Sequence, residues 1–203
     1  MPVRRPVRRT QADRREGTIR KLLDAATGSL IEVGYSETSV QEICARAGVS
    51  HGGLFRHFPS REALMVAVGA DLGQQLLAGY RRQLETLTDR KEPLRMALEL
   101  LRKTCRSPLN QALYELAMAS RTNPRLRKAI APMTAAYHKD ILRLARQLLP
   151  ELAAALGDRF EVLLDTVLAI FDGEQLHRFL IKKPAIEEAR LDLLLGLVRS
   201  FGG

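Results

Sequence analysis

The 203-residue sequence predicts an all-α protein with a small N-terminal lobe and a larger C-terminal helical domain. Apolar residues recur at three- and four-residue spacing along most of the chain, which is the period of a helix. Prolines and glycines fall between these apolar runs, where helices begin and end. No stretch alternates apolar and polar residues as a half-buried strand does. Together these observations predict about nine helices and no sheet.

The first predicted helix runs from about residue 17 to residue 33, with an apolar face made of Ile19, Leu22, Leu23, Ala26 and Leu30. Gly34 follows at the position where a left-handed residue ends many helices. Ser39 and Glu42 have the spacing of a capping box, which predicts that the next helix begins near Val40.

Two very short helices are predicted in the next stretch. Gly48 supplies a left-handed stop for the helix that begins near Val40, and Ser50 is a ready N-cap for another helix through His51. Two short helices joined by a tight glycine turn have the sequence form of a helix-turn-helix. On the second helix His51 and Arg56 face outward, and two glycines bare the backbone, which suits a DNA major groove.

Many residues between positions 34 and 64 match a family signature: Gly34, Tyr35, Thr38, Ser39, Ile43, Ala47, Gly48, Val49, Ser50, Gly52, Leu54, His57, Phe58, Glu62 and Leu64. With them the segment resembles the N-terminal signature of the TetR/AcrR family of bacterial transcriptional regulators. The resemblance covers the first third of the chain and implies an all-helical homodimer that binds a palindromic operator. It also implies repression until a small molecule enters a pocket in the C-terminal domain.

Three residues depart from the family pattern. Phe55 stands where tyrosine is usual, so a hydroxyl that commonly touches a phosphate is missing, at a cost of roughly 1 kcal/mol. Arg61 replaces the usual lysine, and a guanidinium can grip a phosphate with two donors. Gly53 lacks a side chain that often contributes contacts. Base reading then falls mainly to His51 and Arg56. The full set of expected DNA-binding residues is Arg4, Arg5, Arg8, Arg9, Thr38, Ser39, Gln41, Ser50, His51, Gly52, Gly53, Phe55, Arg56, His57 and Arg61.

The charge distribution favours a polyanionic partner. The formal net charge is +9, and residues 1–9 hold four arginines and no acid. This segment can be a solvated tail in the free protein and still enter a minor groove when DNA binds. We therefore expect a basic flexible arm over residues 1–16, a helix-turn-helix domain over residues 17–62, and a ligand-binding and dimerisation domain over residues 63–203.

Ser60 is predicted to cap a long helix to about residue 87, which joins the DNA-binding lobe to the C-terminal core. Prolines in first-turn positions mark later helix starts, and Pro132 should kink the helix in which it lies. The remaining helices are predicted at about 92–105, 108–121, 124–149, 158–182 and 185–201.

The last two predicted helices are apolar on more than one face, which requires burial on several sides. Part of this surface can pack within one chain, and a symmetric four-helix dimer interface accounts more naturally for the rest. The expected dimer residues are Leu164, Leu168, Phe179, Leu194, Leu197, Val198 and Phe201.

A ligand pocket is expected, by the resemblance, among the helices between about residues 70 and 180. The residues proposed to line it are Tyr80, Tyr114, Met118, Tyr137, Phe171, Asp172 and Gln175, each of which can equally be ordinary core or surface. The expected effector is a hydrophobic or amphipathic small molecule. Residues 81–146 hold 15 Lys or Arg against 6 Asp or Glu, and an alternative is that this excess draws an anionic effector.

Other chemistries find little support in the sequence, which predicts no catalytic residue, metal or other cofactor. Glu174 and His177 have the Glu-x-x-His spacing of di-iron bundles, but no second such pair exists. With only two cysteines and no apolar leader or membrane span, a reducing cytoplasm is expected, and a thiol sensor at Cys105 is a minor alternative. The competing functions are an architectural DNA-binding protein and, less favoured, a helical enzyme.

Overall fold

A computed structural model describes residues 10–85 and 92–201 of the chain. Within these residues there are ten helices and no strands, which confirms the predicted all-α class. The helices are α1 (Gln11–Glu37), α2 (Val40–Ala47), α3 (His51–His57), α4 (Arg61–Glu85), α5 (Pro93–Cys105), α6 (Pro108–Thr122), α7 (Pro124–Leu148), α8 (Pro150–Leu156), α9 (Arg159–Arg178) and α10 (Pro184–Phe201).

Helix α1 begins six residues before the predicted start. Thr10 is its N-cap: the Thr10 hydroxyl accepts the backbone N–H of Asp13 at 3.1 Å, and the Asp13 carboxylate accepts the Thr10 N–H at 2.8 Å. This reciprocal pair satisfies two N–H groups that would otherwise lack partners. Residues 11–16, expected in the flexible arm, are therefore helical, while Arg4, Arg5, Arg8 and Arg9 lie outside the described residues.

Helix α1 is broken at Gly34, where the sequence predicted its end, and residues 34–39 form the α1–α2 turn. Gly34 has φ 74° and ψ 176°, a conformation that a residue with a side chain rarely adopts. A short helical turn follows it to Glu37. Ser39 then caps α2 by accepting the Glu42 N–H at 3.1 Å. Only half of the predicted capping box is present, because the Glu42 carboxylate pairs with Arg46 instead.

The two short helices of the predicted helix-turn-helix are α2 and α3. Gly48, at φ 63° and ψ 37°, ends α2 in the left-handed conformation. Ser50 caps α3 by accepting the Gly53 N–H at 3.1 Å. The side chains of Ile43 and Leu54 are fully buried between these helices and α1. Replacing either by alanine would cost roughly 2–5 kcal/mol of stability.

Helix α4 connects the N-terminal lobe to the rest of the molecule. Its buried residues Leu64, Met65, Val68 and Leu72 belong to one core with α1, α2, α3, α6 and α7. The helix packs most extensively against α7. A continuous core of this kind transmits displacement between its two ends, because a close-packed interior is not easily deformed.

Two glycines allow α4 and α7 to lie unusually close together. A Cβ atom on Gly69 would lie 2.4 Å from Met133 Cε, and one on Gly73 would lie 2.9 Å from Tyr137 Cδ2. Both distances are shorter than a normal contact between carbon atoms. The backbone of α4 therefore packs directly on two side chains of α7.

A second core lies between α5, α9 and α10, with Phe171 and Leu191 at its centre. Helix α7 continues through Pro132 as a single element. The sequence missed α8, although Pro150 stands in its first turn as other prolines stand in theirs. Among the described residues, no helix combines the length and the hydropathy needed to cross a bilayer.

Candidate nucleic-acid interface and ligand cavity

The exposed surface of the helix-turn-helix contains the residues that the sequence assigned to base reading, together with other members of the expected DNA-binding set. His51, Gly52, Phe55 and Arg56 are exposed on α3, and Gln41 is exposed on α2. Phe55 keeps 47% of its surface accessible although its ring is entirely apolar. A half-exposed aromatic ring on a short, otherwise polar helix face is consistent with a surface that contacts a partner.

Two serines at the helix starts combine a capping role with exposure. The hydroxyls of Ser39 and Ser50 accept the backbone N–H groups of Glu42 and Gly53. A hydroxyl that accepts in this way still has its own hydrogen to donate. Both side chains are exposed, so each hydroxyl can donate to a phosphate oxygen without losing its cap.

Thr38 does not lie on this surface, contrary to the sequence prediction. It is fully buried. Its hydroxyl donates to the Gly34 carbonyl at 2.7 Å and lies 3.0 Å from the Ser29 hydroxyl. The residue closes the turn between α1 and α2, and DNA contact through its side chain would require that turn to open.

Arg61 also has a structural role that the sequence did not predict. Its guanidinium donates to the Thr38 carbonyl at 3.0 and 3.1 Å, to the Tyr35 carbonyl at 2.8 Å and to the Tyr35 hydroxyl at 2.7 Å. The same group lies 4.1 Å from the centre of the Tyr35 ring. Because most of its donors are used inside the protein, Arg61 fastens the α1–α2 turn to α4 rather than being free to grip a phosphate.

Gly53 and His57 are less accessible than the exposed residues of α3. A Cβ atom on Gly53 would lie 2.8 Å from Val49 Cγ1, so the lack of a side chain there avoids a clash within the helix-turn-helix, which is the proposed DNA reader. His57 is half-buried, and its Nδ1 atom is buried without a hydrogen-bond partner among the described residues.

Two further arginines are exposed close to the start of α1. Arg14 and Arg15 form no ion pair in the described part of the chain, and both are exposed. The sequence placed them in the flexible arm and gave them no role in binding. The signal that could have located them is Thr10 with Asp13, which form the cap.

A cavity of about 460 Å³ lies among α4, α5, α6, α7, α8, α9 and α10. Leucine is the most frequent residue in its lining, which also includes Tyr80, Tyr114, Tyr137 and Asp172 from the predicted ligand set. Three predicted residues do not line it. Met118 is 54% exposed, Phe171 is buried in the second core, and Gln175 lies farther along α9.

The polar corner of the cavity is centred on Asp172. Its carboxylate accepts a hydrogen bond from Asn110 Nδ2 at 3.2 Å and also interacts with the side chains of Cys105 and Tyr114. Burial raises the pKa of Asp172 above its ordinary value, although these hydrogen bonds partly oppose the shift. Burial also raises the pKa of Cys105, so its thiol is protonated and lacks the thiolate character of a redox sensor.

The other two tyrosines are firmly placed within the lining. The Tyr80 hydroxyl donates to the Ala97 carbonyl at 2.9 Å. Burial raises the pKa values of Tyr80 and Tyr137, so both phenols are neutral. They contribute aromatic rings and no charge to the lining.

The comparisons with known proteins agree with this geometry. A family model described as bacterial regulatory proteins, tetR family, matches residues 22–68. An uncharacterized HTH-type transcriptional regulator of Mycobacterium tuberculosis is 34% identical over 190 residues, which cover 94% of this chain and 97% of that protein. The chain belongs to the TetR family. As a member, it is a DNA-binding transcriptional regulator built on a helix-turn-helix.

Solved TetR-type structures share the fold along most of the chain. The crystal structure of a TetR-family regulator of Rhodococcus sp. has a TM-score of 0.65 at 22% identity and covers 92% of this chain and 99% of that one. The multidrug binding protein EbrR, complexed with imidazole, has a TM-score of 0.64 at 24% identity, with coverage of 88% and 93%. At these identities the likeness concerns the fold.

Buried ion pairs join α5 to α9 and α10 in this TetR-family chain. Glu174 is 4% exposed and pairs with Arg106 and Arg190, while Glu187 pairs with Arg106 and Arg178. Burial raises the pKa of Glu187, but the Lys183 N–H and the two arginines outweigh it, and the pKa lies below its ordinary value. Glu174 therefore serves an ion-pair network and is not arranged as a metal ligand.

The predicted dimer residues divide into two groups. Leu164, Leu194 and Val198 are buried in the monomer, and Leu168 is half-buried against the second core, so these four do not face outward. Phe179 and Leu197 are exposed, whereas the side chain of Phe201 lies outside the described residues. The large exposed apolar residues of α9, α10 and the segment between them, named here the exposed apolar face of α9 and α10, are Val162, Leu176, Phe179, Leu180, Ile181, Ile186, Leu193 and Leu197.

Proposed function

We propose that this TetR-family regulator is a homodimeric repressor that releases a palindromic operator when a small molecule occupies the cavity. The observation that carries the proposal is that one helix borders both sites. On α6, Tyr114 lines the cavity, and the adjacent Glu115 accepts the backbone N–H of Tyr35 at the α1–α2 turn. A ligand that moves α6 therefore acts on the base of the DNA reader.

In the proposed complex, α3 enters the major groove with His51 and Arg56 facing the base edges and Gln41 approaching from α2. Ser39, Ser50 and the backbone at the two glycines of α3 face phosphates. The arginines of residues 1–9 add electrostatic affinity, which makes binding strongly dependent on salt. Thr38 and Arg61 support this surface from within, and neither is included in the proposed contacts.

A second copy of the chain is proposed to cover the exposed apolar face of α9 and α10. The large apolar side chains exposed on this face favour an interaction site, because large exposed apolar patches mark such sites. Pairing the face with itself through a two-fold axis places two readers in the symmetry of a palindromic operator.

Release is proposed to follow from a shift in population. The effector prefers a conformation in which the two helix-turn-helix domains of the dimer no longer match successive major grooves. Operator affinity then falls by up to the ratio of the effector's affinities for the two conformations. The proposal includes no catalytic step. It places the protein in the bacterial cytoplasm, where DNA is accessible and the free thiols Cys44 and Cys105 stay reduced.

The proposal is tested with an operator selected from a random duplex pool, followed by fluorescence anisotropy. Replacing His51 or Arg56 by alanine should weaken operator binding roughly 10-fold or more and relax selection at the contacted base pairs. Arg143→Ala is the matched control, since Arg143 is an exposed arginine on α7. Binding of random duplexes as tightly as the selected site would instead indicate an architectural protein.

The direction of regulation requires a separate measurement. A reporter placed behind the selected operator should be silenced by the wild-type protein and released by an effector that binds in the cavity. Increased expression on binding would overturn the repressor assignment while leaving operator recognition intact.

A further inference from the structure

The charged groups around the cavity have one sign. Among the described residues that line it, none is lysine or arginine, whereas two are the aspartates Asp172 and Asp165. The histidine of the lining, His138, faces Glu161 and Asp165 at 3.6 and 3.8 Å. The excess of basic residues between positions 81 and 146 is therefore not directed into the cavity, which removes the basis for an anionic effector.

Asp172 is surrounded by neutral groups. Asn110 donates an amide hydrogen, and Cys105 and Tyr114 interact through their side chains. Tyr137 reaches the same region from α7 and is also neutral. Hydrogen bonds from neutral donors stabilise a carboxylate less than a cation does, so the ionised form of Asp172 remains incompletely compensated.

The arginines that approach this end of α9 already pair with glutamates. Arg106 directly follows Cys105 in the chain, yet its guanidinium pairs with Glu174 and Glu187. Arg190 pairs with Glu174 as well. Of the acids along this part of α9, Glu174 has two arginine partners and Asp172 has no cationic partner in the described structure.

The remainder of the lining favours an apolar body. Leucine, isoleucine and valine side chains line most of the cavity, together with the rings of Tyr80, Tyr114 and Tyr137. Tyrosine faces attract cations as well as apolar groups. An anion in the same space would face the half-buried carboxylate of Asp172, of like charge, with no compensating base in the lining, which is unfavourable.

We propose that the effector is an amphipathic cation, with an apolar body in the leucine-lined space and a protonated amine paired with the Asp172 carboxylate. This inference rests on the proposed function of the cavity as the effector site. It assigns Asp172 as the residue that selects the charge of the ligand.

The test compares three ligands with the same alkyl chain and different head groups: decylamine, decan-1-ol and decanoate, each below its micelle concentration. Isothermal titration calorimetry with the full-length protein should give an affinity for decylamine at least about 10-fold above that for the alcohol. Decanoate should bind more weakly than the alcohol. In Asp172→Asn the preference for decylamine should disappear while the affinity for decan-1-ol is retained, which also demonstrates that the variant is folded.

Asp165→Asn is the matched control, because Asp165 lines the same cavity but is 70% exposed. It should lower the affinity for decylamine by less than about 2-fold, since an exposed pair contributes little. Equal affinity for all three ligands, tighter binding of decanoate, or an unchanged preference in Asp172→Asn would overturn the assignment of a cation.

These outcomes differ from failure of the proposed function. If decylamine binds through Asp172 and operator affinity does not change, the charge preference stands and the release mechanism is wrong. If the alcohol or the acid binds best and weakens operator binding, the release mechanism stands and the ligand class is wrong. If none of the three ligands binds, both the effector site and the charge preference are contradicted.

Discussion

The carboxylate of Glu115 on α6 accepts a hydrogen bond from the backbone N–H of Tyr35, with 3.0 Å between the two heavy atoms. Tyr35 follows Gly34 in the α1–α2 turn and also holds the guanidinium of Arg61 at the start of α4. Tyr35 in the α1–α2 turn therefore contacts both α6, through Glu115, and α4, through Arg61. Since Tyr114 precedes Glu115 and lines the cavity, one peptide bond and this hydrogen bond connect the cavity to the α1–α2 turn.

Glu115→Ala is expected to weaken communication between these sites. The free energy that couples ligand to operator binding should fall by roughly 1 kcal/mol, while ligand affinity stays near that of the wild type. The measurement is operator affinity by anisotropy with and without saturating ligand. Glu115→Gln keeps an acceptor for the Tyr35 N–H and should preserve most of the coupling. Equal loss in both variants would mean that the hydrogen bond itself is not responsible.

Phe55→Tyr is expected to strengthen DNA binding. The ring is 47% exposed on α3, so a hydroxyl at its tip can reach a phosphate at little cost to folding. Affinity should rise roughly 5-fold, the equivalent of about 1 kcal/mol. Because a phosphate contact carries no sequence information, operator and random duplex should gain alike. A gain confined to the operator would place position 55 against a base.

Asp172→Asn is expected to stabilise the ligand-free protein at pH 7. The pKa of Asp172 is raised by burial, so ionisation costs folding free energy as the pH rises from the unfolded-state pKa through the folded-state pKa. The melting temperature should increase by about 2 °C at pH 7. The gain should vanish below the unfolded-state pKa, where the carboxyl is protonated in both states.

Asp165→Asn provides the comparison for this stability measurement. Asp165 is 70% exposed, so its substitution should leave the melting temperature nearly unchanged across the same pH range. A loss of stability in Asp172→Asn at pH 7 would mean that hydrogen bonds from Asn110, Cys105 and Tyr114 outweigh burial.

Leu193→Glu is expected to separate the dimer. Leu193 is 63% exposed on the apolar face of α10, so a charge there should spare the monomer fold but be costly inside an interface. Size-exclusion chromatography with light scattering should find a monomer at micromolar concentration. Met118→Glu places the same charge on an exposed apolar position of α6 and should leave the dimer intact.

Gly73→Ala is expected to destabilise the protein although alanine favours a helix. The added Cβ would lie 2.9 Å from the ring of Tyr137, and overpacking of this kind costs roughly 1–3 kcal/mol. Gly79→Ala on the same helix has nothing within 4 Å of the new carbon and should gain up to about 1 kcal/mol. Thermal denaturation of both variants separates the contact from the helix propensity. A gain in both would contradict the close packing.

Local signals made the reader predictable from the sequence. Ser39, Gly48 and Ser50 cap their helices through hydrogen bonds and dihedral angles that depend on only a few neighbouring residues. The hydrogen-bond partners of a long side chain cannot be predicted from such local signals. Arg61 turns to Tyr35, 26 positions earlier in the chain, because the α1–α2 turn offers carbonyl oxygens there. Only the assembled fold brings these groups together.

A cavity among the C-terminal helices was predicted, but three of the residues proposed to line it do not. Asp172 and Phe171 are adjacent on α9, and about 100° of rotation per residue sends one to the cavity and the other to the second core. Composition and spacing alone do not fix which side of α9 meets which neighbour. For the same reason the sequence placed Leu164, Leu194 and Val198 at the dimer face, whereas Leu194 belongs to the second core and Leu164 and Val198 line the cavity.

The contact between Gly73 and Tyr137 bears on how movement at the cavity reaches α4, the helix that leads to the DNA reader. A side chain at position 73 could change rotamer and absorb a small movement of the ring. Glycine has no such freedom, and the ring that borders the cavity rests on the main chain of α4. A ligand that pushes the ring toward α4 therefore acts on the helix backbone itself. At position 73, α4 has no side chain that could yield to the ring, so the ring bears directly on the main chain.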